Sequence, residues 1–398
     1  MTTPDRIDSL DHIRGIAVMG IFSANVIAMG LMQSALSSPT LLGLEHWGDR
    51  LVWILNLIFV DGKMRGLFSI LFGAGLVLIS EKAIAKGRMP AALHFPRLAV
   101  LALFGLAHYL FLWWGDILLH YAIIGTIAFF FYDKAPRFLF AWATIFLIAN
   151  ALLMGSVAWY MMDAAASNPA MAGLMTAAPA SADEIAAANA FHQNIGTHLA
   201  HQLERAWPHH SSLTLFLLPE TLGLMLLGMA TYKSGFLGGE LSDRTYRRWA
   251  LFGIGGAVVV GGFAAWLAAV HDFAPLFAQI AEGGLIAWIK PVQMLGYAAL
   301  VILLFRRGGP FAARVAAVGR MAFSNYLAPT IIMTPILFGF GAGLFNQLSR
   351  GTLWIAFVPA MWALMLIWSK PWLERYRYGP LEWLWRSLAR RRLEPMRR

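Results

Sequence analysis

RLAVLALFGLAHYLFLWWGDILLHYAIIGTIAFFFYDKAPR, residues 97–137, decides the fold. Its two apolar runs, 97–114 and 116–132, approach the roughly 20 residues a helix needs to cross a bilayer. Only Gly115 and Asp116 separate them, so they form a tight hairpin. Arg97, Lys134 and Arg137 stand at the ends away from that turn, as the excess of Lys and Arg in cytoplasmic loops requires. The same grammar extends in both directions. Candidate spans fall at 14–34, 51–80, 97–114, 116–132, 138–160, 213–231, 250–270, 284–305, 317–340 and 352–369. The expected fold is therefore all-α, a polytopic membrane helix bundle of about ten spans.

Composition agrees. Hydrophobic residues make up 59% of the 398 and charged residues 13%, half the share of a soluble domain, about 25%. There is no cysteine, which excludes disulfides, thiolate nucleophiles and cysteine-ligated metals. The net charge of +10 does not point to nucleic acid, because the basic residues gather at span ends. With the N-terminus inside and the spans alternating, 25 of the 31 Lys and Arg lie inside. Only Arg50, Arg205 and Arg350 lie outside, while Lys63, Arg65 and Lys290 fall within spans. Both termini are thus expected in the cytoplasm of a bacterial inner membrane. Asp5, Asp8 and Asp11 precede the first apolar run, unlike the positive start of a signal peptide, so that run reads as a permanent span.

Residues 1–370 form the expected membrane domain, with an extracytoplasmic segment at 163–212. Ser181 followed by Glu184 fits a capping box for a helix over 182–206. The tail, 371–398, alternates Trp383, Leu384, Trp385 and Leu388 with arginines. It reads as a basic amphipathic helix meeting lipid headgroups.

Ionisable groups within spans are functional candidates because burying them is costly. Asn25 and His108 each lie eleven residues into their spans, about 16 Å and so near mid-bilayer. Asp61, Lys63 and Arg65 sit in the middle of the second span, interleaved with Gly62 and Gly66, where a helix break is expected. Asp61 and Arg65 are spaced to pair if the helix continues. Glu220 and Lys290 fall at matching depths, an ion-pair spacing. His108 suits general-base work. Asp116 follows eight residues later, about 12 Å along a straight axis, too far to orient it. His120 is an outer-leaflet alternative. His192, His198, His201, His209 and His210 complete no known metal-ligand spacing, so no metal site is expected.

Several blocks resemble a known family: Leu10-Asp11-His12-Ile13-Arg14-Gly15 with Asn25; Asp61-Gly62-Lys63 before Leu67-Phe68-Ser69; Gly105-Leu106-Ala107-His108 with Gly115-Asp116; Gly319-Arg320-Met321 with Ser324-Asn325-Tyr326; and Tyr378-Gly379-Pro380-Leu381-Glu382-Trp383. In order and across nearly the whole chain, they resemble the YeiB-like bacterial membrane proteins. The Leu-Asp-x-x-Arg-Gly opening is also distantly similar to the transmembrane acyltransferase superfamily, whose members move acyl groups from cytoplasmic acyl-CoA to an acceptor. In the O-acyl branch a catalytic His follows the Arg after ten intervening residues. Here that position is Asn25, and an amide cannot take a proton. The N-acetyl branch carries its His near the outer start of the second span, where His46 stands. His46 and His108 are thus competing bases.

The resemblance implies a membrane acyltransferase with acyl-CoA as co-substrate and no covalently bound cofactor. His108 or His46, with Asp61, would be catalytic. Arg14, Asn25, Lys63, Arg65, Asp116, Glu220, Lys290, Asn325 and Tyr326 would bind substrate. The acceptor would be a small molecule or a sugar, peptide or lipid-linked intermediate. The rival expectation is a permease for a small polar or anionic solute, which a broken second span with midplane charges suits. A third is a scaffold with a dry, paired-off core. Membrane lipid is the expected partner, nucleic acid is not, and homo-oligomerisation is left open.

Overall fold

The computed structural model describes residues 7–42, 46–176 and 178–398. Asp5, Arg6 and the side chains of Pro208 and His209 lie outside that description. All regular elements among the described residues are helical, apart from one isolated bridge between Tyr376 and Arg397. They are α1 (Asp8–Gly30), α2 (Ser34–Ser37), α3 (Trp47–Phe59), α4 (Lys63–Ile84), α5 (Pro90–Phe111), α6 (Leu118–Phe129), α7 (Pro136–Ser167), α8 (Ala182–Ala190), α9 (Ile195–Lys233), α10 (Asp243–Val270), α11 (Pro275–Gln279), α12 (Ala287–Phe305), α13 (Pro310–Arg320), α14 (Ala322–Leu337), α15 (Arg350–Arg375) and α16 (Pro380–Arg390). A 3₁₀ segment, Pro169–Met175, follows α7, and a π-helical stretch, Ile280–Ile286, joins α11 to α12.

Among the described residues, eight helices are long and apolar enough to cross a membrane. The ten expected spans resolve into these eight and two shorter helices, α6 and α14, of 12 and 16 residues. At about 1.5 Å per residue these two rise roughly 18 and 24 Å, less than a hydrocarbon core of about 30 Å. Apolar side chains are inverted relative to a soluble protein, with Leu103, Trp159, Leu251, Val259 and Ile367 exposed on the outer helices. Such a surface suits lipid. Helix α1 is the hub, packed on α4, α12, α13, α14 and α15.

The second span is broken, as its sequence predicts. Helix α3 ends at Phe59, α4 begins at Lys63, and Gly62 turns between them at φ +72°, a left-handed conformation that glycine adopts without Cβ strain. The capping box at Ser181 forms, with the Ser181 side chain accepting from Glu184 N–H at 3.2 Å. The helix it starts ends at Ala190, however. Asn194 caps a new helix, α9, which runs without interruption into the sixth span. Much of the expected outer segment is therefore an extension of a transmembrane helix.

Small residues let backbones meet where no hydrophobic force drives helices together in lipid. At the α4–α9 crossing, a Cβ on Gly73 would lie 1.9 Å from the Met225 carbonyl oxygen, and one on Gly228 equally close to that of Ile70. Gly73→Ala must push two helices apart and is expected to cost about 1–3 kcal/mol, as overpacking does. A lowered unfolding temperature in detergent would register it. Unchanged melting would mean the crossing is looser than described.

Candidate active site

Both ends of the described chain lie on one face of the bundle, here the terminal face. Between α1, α4, α5, α6, α13, α14 and α16 a cavity of ≈ 320 Å³ opens there. Four arginines from four helices, Arg14, Arg97, Arg320 and Arg386, line it. Arg14 pairs with Asp11 at 3.1 Å, and Arg97 lies over the Trp385 ring at 4.3 Å. Deeper walls are apolar, from Phe68, Phe72, Leu98 and Leu101, with the rings of Tyr121 and Tyr326.

Helix α16 builds part of this wall. Trp385 Nε1 donates to the Arg97 carbonyl at 2.8 Å. The Glu382 carboxylate accepts from Phe323 N–H at 2.7 Å and Ser324 N–H at 3.0 Å, capping the first turn of α14. Burial pushes the Glu382 carboxyl up. The tail therefore docks on α5 and α14, and protein covers part of its apolar face.

Above Tyr326 lies His108, 2% exposed, with ring centres 5.7 Å apart. His108 Nδ1 is 2.8 Å from Asp116 Oδ2. That bond corrects the expectation that Asp116 stands a full 12 Å away. The straight-axis arithmetic fails because α5 ends at Phe111 and residues 112–117 fold back into the bundle. The start of α6 is level with Gly105, whose Cβ direction meets Leu119 N and Asp116 Oδ1. Asp116 Oδ1 also accepts from Leu119 N–H at 2.9 Å. The Asp116 carboxylate can only accept, so Nδ1 carries a proton, and in the neutral imidazole Nε2 then keeps its lone pair. Nε2 faces the Thr330 hydroxyl at 3.1 Å, which therefore donates to it.

Thr330, Tyr326 and Asn25 line a closed seam between α1 and α14, and Met29 lies on the same seam. Tyr326 is shared with the terminal-face cavity. Met29 is shared with a second cavity of ≈ 210 Å³ on the opposite face, where Trp113, Trp114, Phe191, His192, His201 and Arg205 stand. A cavity, a seam and a second cavity thus share walls, with the relay Asp116–His108–Thr330 at the seam.

The charges around the α3–α4 break form a separate cluster. Glu220 bridges Arg65 and Lys290, the latter at 3.3 Å. Lys63 Nζ donates to the Leu57 carbonyl. Arg65 therefore pairs with Glu220, not with Asp61, because the helix does not continue through Gly62. Tyr121 ties this cluster to the first cavity, its hydroxyl donating to the Arg65 carbonyl at 2.8 Å. The expected single meeting of Asn25, Asp61, Lys63 and His108 is thus two assemblies: Asn25 with the His108 relay, and Lys63 with the ion network.

His46 is exposed at the start of α3, where its N–H donates to Asp49 Oδ2 at 2.7 Å, and it lines none of these voids. Asn325 lines the seam, but its amide is spent on Val318 and Ser369 and accepts from Trp368, so it is structural. His120 bonds Thr221 at 2.8 Å. His192 and His198 meet through Nδ1 atoms 3.0 Å apart, and no group of three or more potential metal ligands forms among the described residues. Sequence reading singles out neither Thr330 nor the cavity roles of Arg97, Arg386 and Trp385. A threonine in an apolar helix gives no signal, and the three others read as topology or anchoring residues.

The protein of unknown function family DUF418 matches residues 231–392. The chain is 30% identical to the uncharacterized protein YeiB of Escherichia coli (strain K12), covering 98% of each chain. It is also 30% identical to the uncharacterized protein YxaH of Bacillus subtilis (strain 168), over 97% of this chain and 94% of that one. The chain belongs to the YeiB-like family. An uncharacterized 39.9 kDa protein from the amylase 3' region of Bacillus acidopullulyticus is 25% identical over 98% of this chain and 96% of its own. No solved structure matches. DUF418 covers α13, α14 and α16, so this YeiB-like chain carries Thr330, Tyr326 and the docked tail within that region, and Asn25, His108 and Asp116 outside it.

Proposed function

We propose that this chain is an inner-membrane acyltransferase that moves an acyl group from cytoplasmic acyl-CoA to an acceptor reached from the other side. The observation that carries the reading is the Asp116–His108 pair set above a cavity with four arginines. With the terminal face inside, as the charge bias favours, Arg14, Arg97, Arg320 and Arg386 bind the CoA phosphates, which guanidinium groups match in geometry and charge. Arg97 and His108 lie eleven residues apart on α5, about 16 Å, on the scale of an extended pantetheine arm. The arm lies along the apolar wall and brings the thioester to Tyr326. The acceptor, a small molecule or a sugar, peptide or lipid-linked group, enters from the opposite cavity. His108 Nε2 is the base. It replaces the superfamily histidine absent at Asn25.

The permease reading is less well supported. Asp61, Lys63, Glu220 and Lys290 line none of the three voids, whereas a solute path should run past them.

The test is acyl-CoA binding to the purified full chain. Arg386→Ala is expected to remove a charge-assisted phosphate contact of about 1.5 kcal/mol, weakening binding roughly tenfold, and added salt should weaken the wild type. Isothermal titration would measure both. If the wild type does not bind acyl-CoA at all, the reading is wrong.

A further inference from the structure

We infer that Thr330 is a nucleophile that carries the acyl group between donor and acceptor as an ester. The inference rests on the acyl-transfer reading above and adds a covalent step to it. Hydroxyl, imidazole and carboxylate stand in series, Thr330 Oγ1 at 3.1 Å from His108 Nε2 and His108 Nδ1 at 2.8 Å from Asp116. That is the arrangement of nucleophile, base and orienting group by which an unreactive hydroxyl is activated.

The arrangement is not automatic: two other buried threonines follow the usual helical pattern, and a third, Thr221, meets an imidazole that no carboxylate orients, His120 Nε2 lying 2.8 Å from its hydroxyl while His120 Nδ1 has no hydrogen-bond partner among the described residues. A helical threonine usually donates to the carbonyl four residues back. Thr231 does so to Leu227 at 2.7 Å and Thr334 to Thr330 at 2.6 Å. Thr330 instead gives its proton to an imidazole from another helix. Its remaining lone pairs belong to a group that lines the seam, beside Asn25. Asn25 is half-buried, and its side-chain amide has no hydrogen-bond partner among the described residues. An amide donor left free at a nucleophile is what a developing oxyanion requires.

The step balances as follows. Thr330 Oγ1 attacks the thioester carbonyl carbon while its proton passes to His108 Nε2, and Asp116 holds the Nδ1 proton of the imidazolium. The tetrahedral oxyanion, met by the Asn25 amide, collapses. The carbon–sulfur bond breaks, the CoA sulfur takes the proton from Nε2, and CoA leaves as the thiol. An acceptor hydroxyl or amine then gives a proton to Nε2 and attacks the ester, and Thr330 leaves with that proton. Tyr326 lines both the cavity and the seam, so the thioester reaches Thr330 past its ring, and because ester formation and ester cleavage follow one another, donor and acceptor need never be bound together.

The experiment incubates the purified full chain with radiolabelled acetyl-CoA, without acceptor, and reads protein-bound label after denaturation. Label near one per chain is expected, released by hydroxylamine as an oxygen ester and mapped to the Thr330 peptide. Thr330→Ser should keep it, and Thr330→Val, nearly isosteric, should lose it while eluting as folded protein. In vesicles of bacterial lipid that supply acceptor, steady CoA release without bound label, at a rate Thr330→Val preserves, would overturn the covalent step and leave direct transfer by His108 standing. Neither label nor CoA release would overturn both.

Discussion

His108→Gln is expected to lower acyl-CoA-dependent CoA release by about 10²–10⁴-fold, the usual contribution of a positioned general base. Glutamine is close in reach and can still donate to Asp116, so the fold should survive. It has no lone pair basic enough to take a proton from a hydroxyl. In this structure the base cannot be replaced by a neighbour. His46 is exposed at the start of α3, and His120 is occupied by Thr221. The loss should therefore be nearly complete, with acyl-CoA binding unchanged, because the four arginines proposed to hold CoA line a cavity that His108 itself does not line. Measured CoA release with vesicle-reconstituted protein decides it. A His108→Gln chain that turns over at the wild-type rate removes the base from the mechanism. Loss of binding together with rate would make His108 a packing residue instead.

How much of this was legible in the sequence differs by element. The 97–137 hairpin, the break at Gly62 and the Glu220–Lys290 pairing are each written in local composition or in matched depth, and the structure has them. The relay is not legible, for a physical reason. Depth from residue count holds only while a helix runs straight, and the chain between Phe111 and Leu118 turns back, bringing Asp116 to His108. Helix α16 fails differently. An amphipathic pattern tells which face is apolar and not what covers it, so a wall of the cavity reads as a lipid anchor. The single wet midplane site also does not follow from equal depth. Asn25 and Lys63 face different neighbours, because depth fixes height along the membrane normal and leaves the direction around each helix open.

The ion network stands apart from the His108 relay and bears on stability. Glu220 is 5% exposed in its side chain and holds two cations, Arg65 and Lys290, that are themselves largely buried. Removing one partner of a buried ion pair leaves an uncompensated charge, about 3–5 kcal/mol. Glu220→Gln keeps the shape and two hydrogen-bonding atoms, yet leaves two cations facing each other. It is expected to cost in that range and to lower the unfolding temperature in detergent by several degrees. Lys290→Met on that background takes away one of the two cations and should recover part of the loss, so the double variant should be more stable than Glu220→Gln alone. Tyr121 connects the network to the cavity through the Arg65 carbonyl. The Glu220→Gln chain should therefore also bind acyl-CoA more weakly, in proportion to its unfolding. Thermal melts of the four combinations test the idea. If Glu220→Gln melts with the wild type, the network is solvated and contributes nothing to the core. If Lys290→Met deepens the loss, Lys290 stabilises through contacts other than its charge.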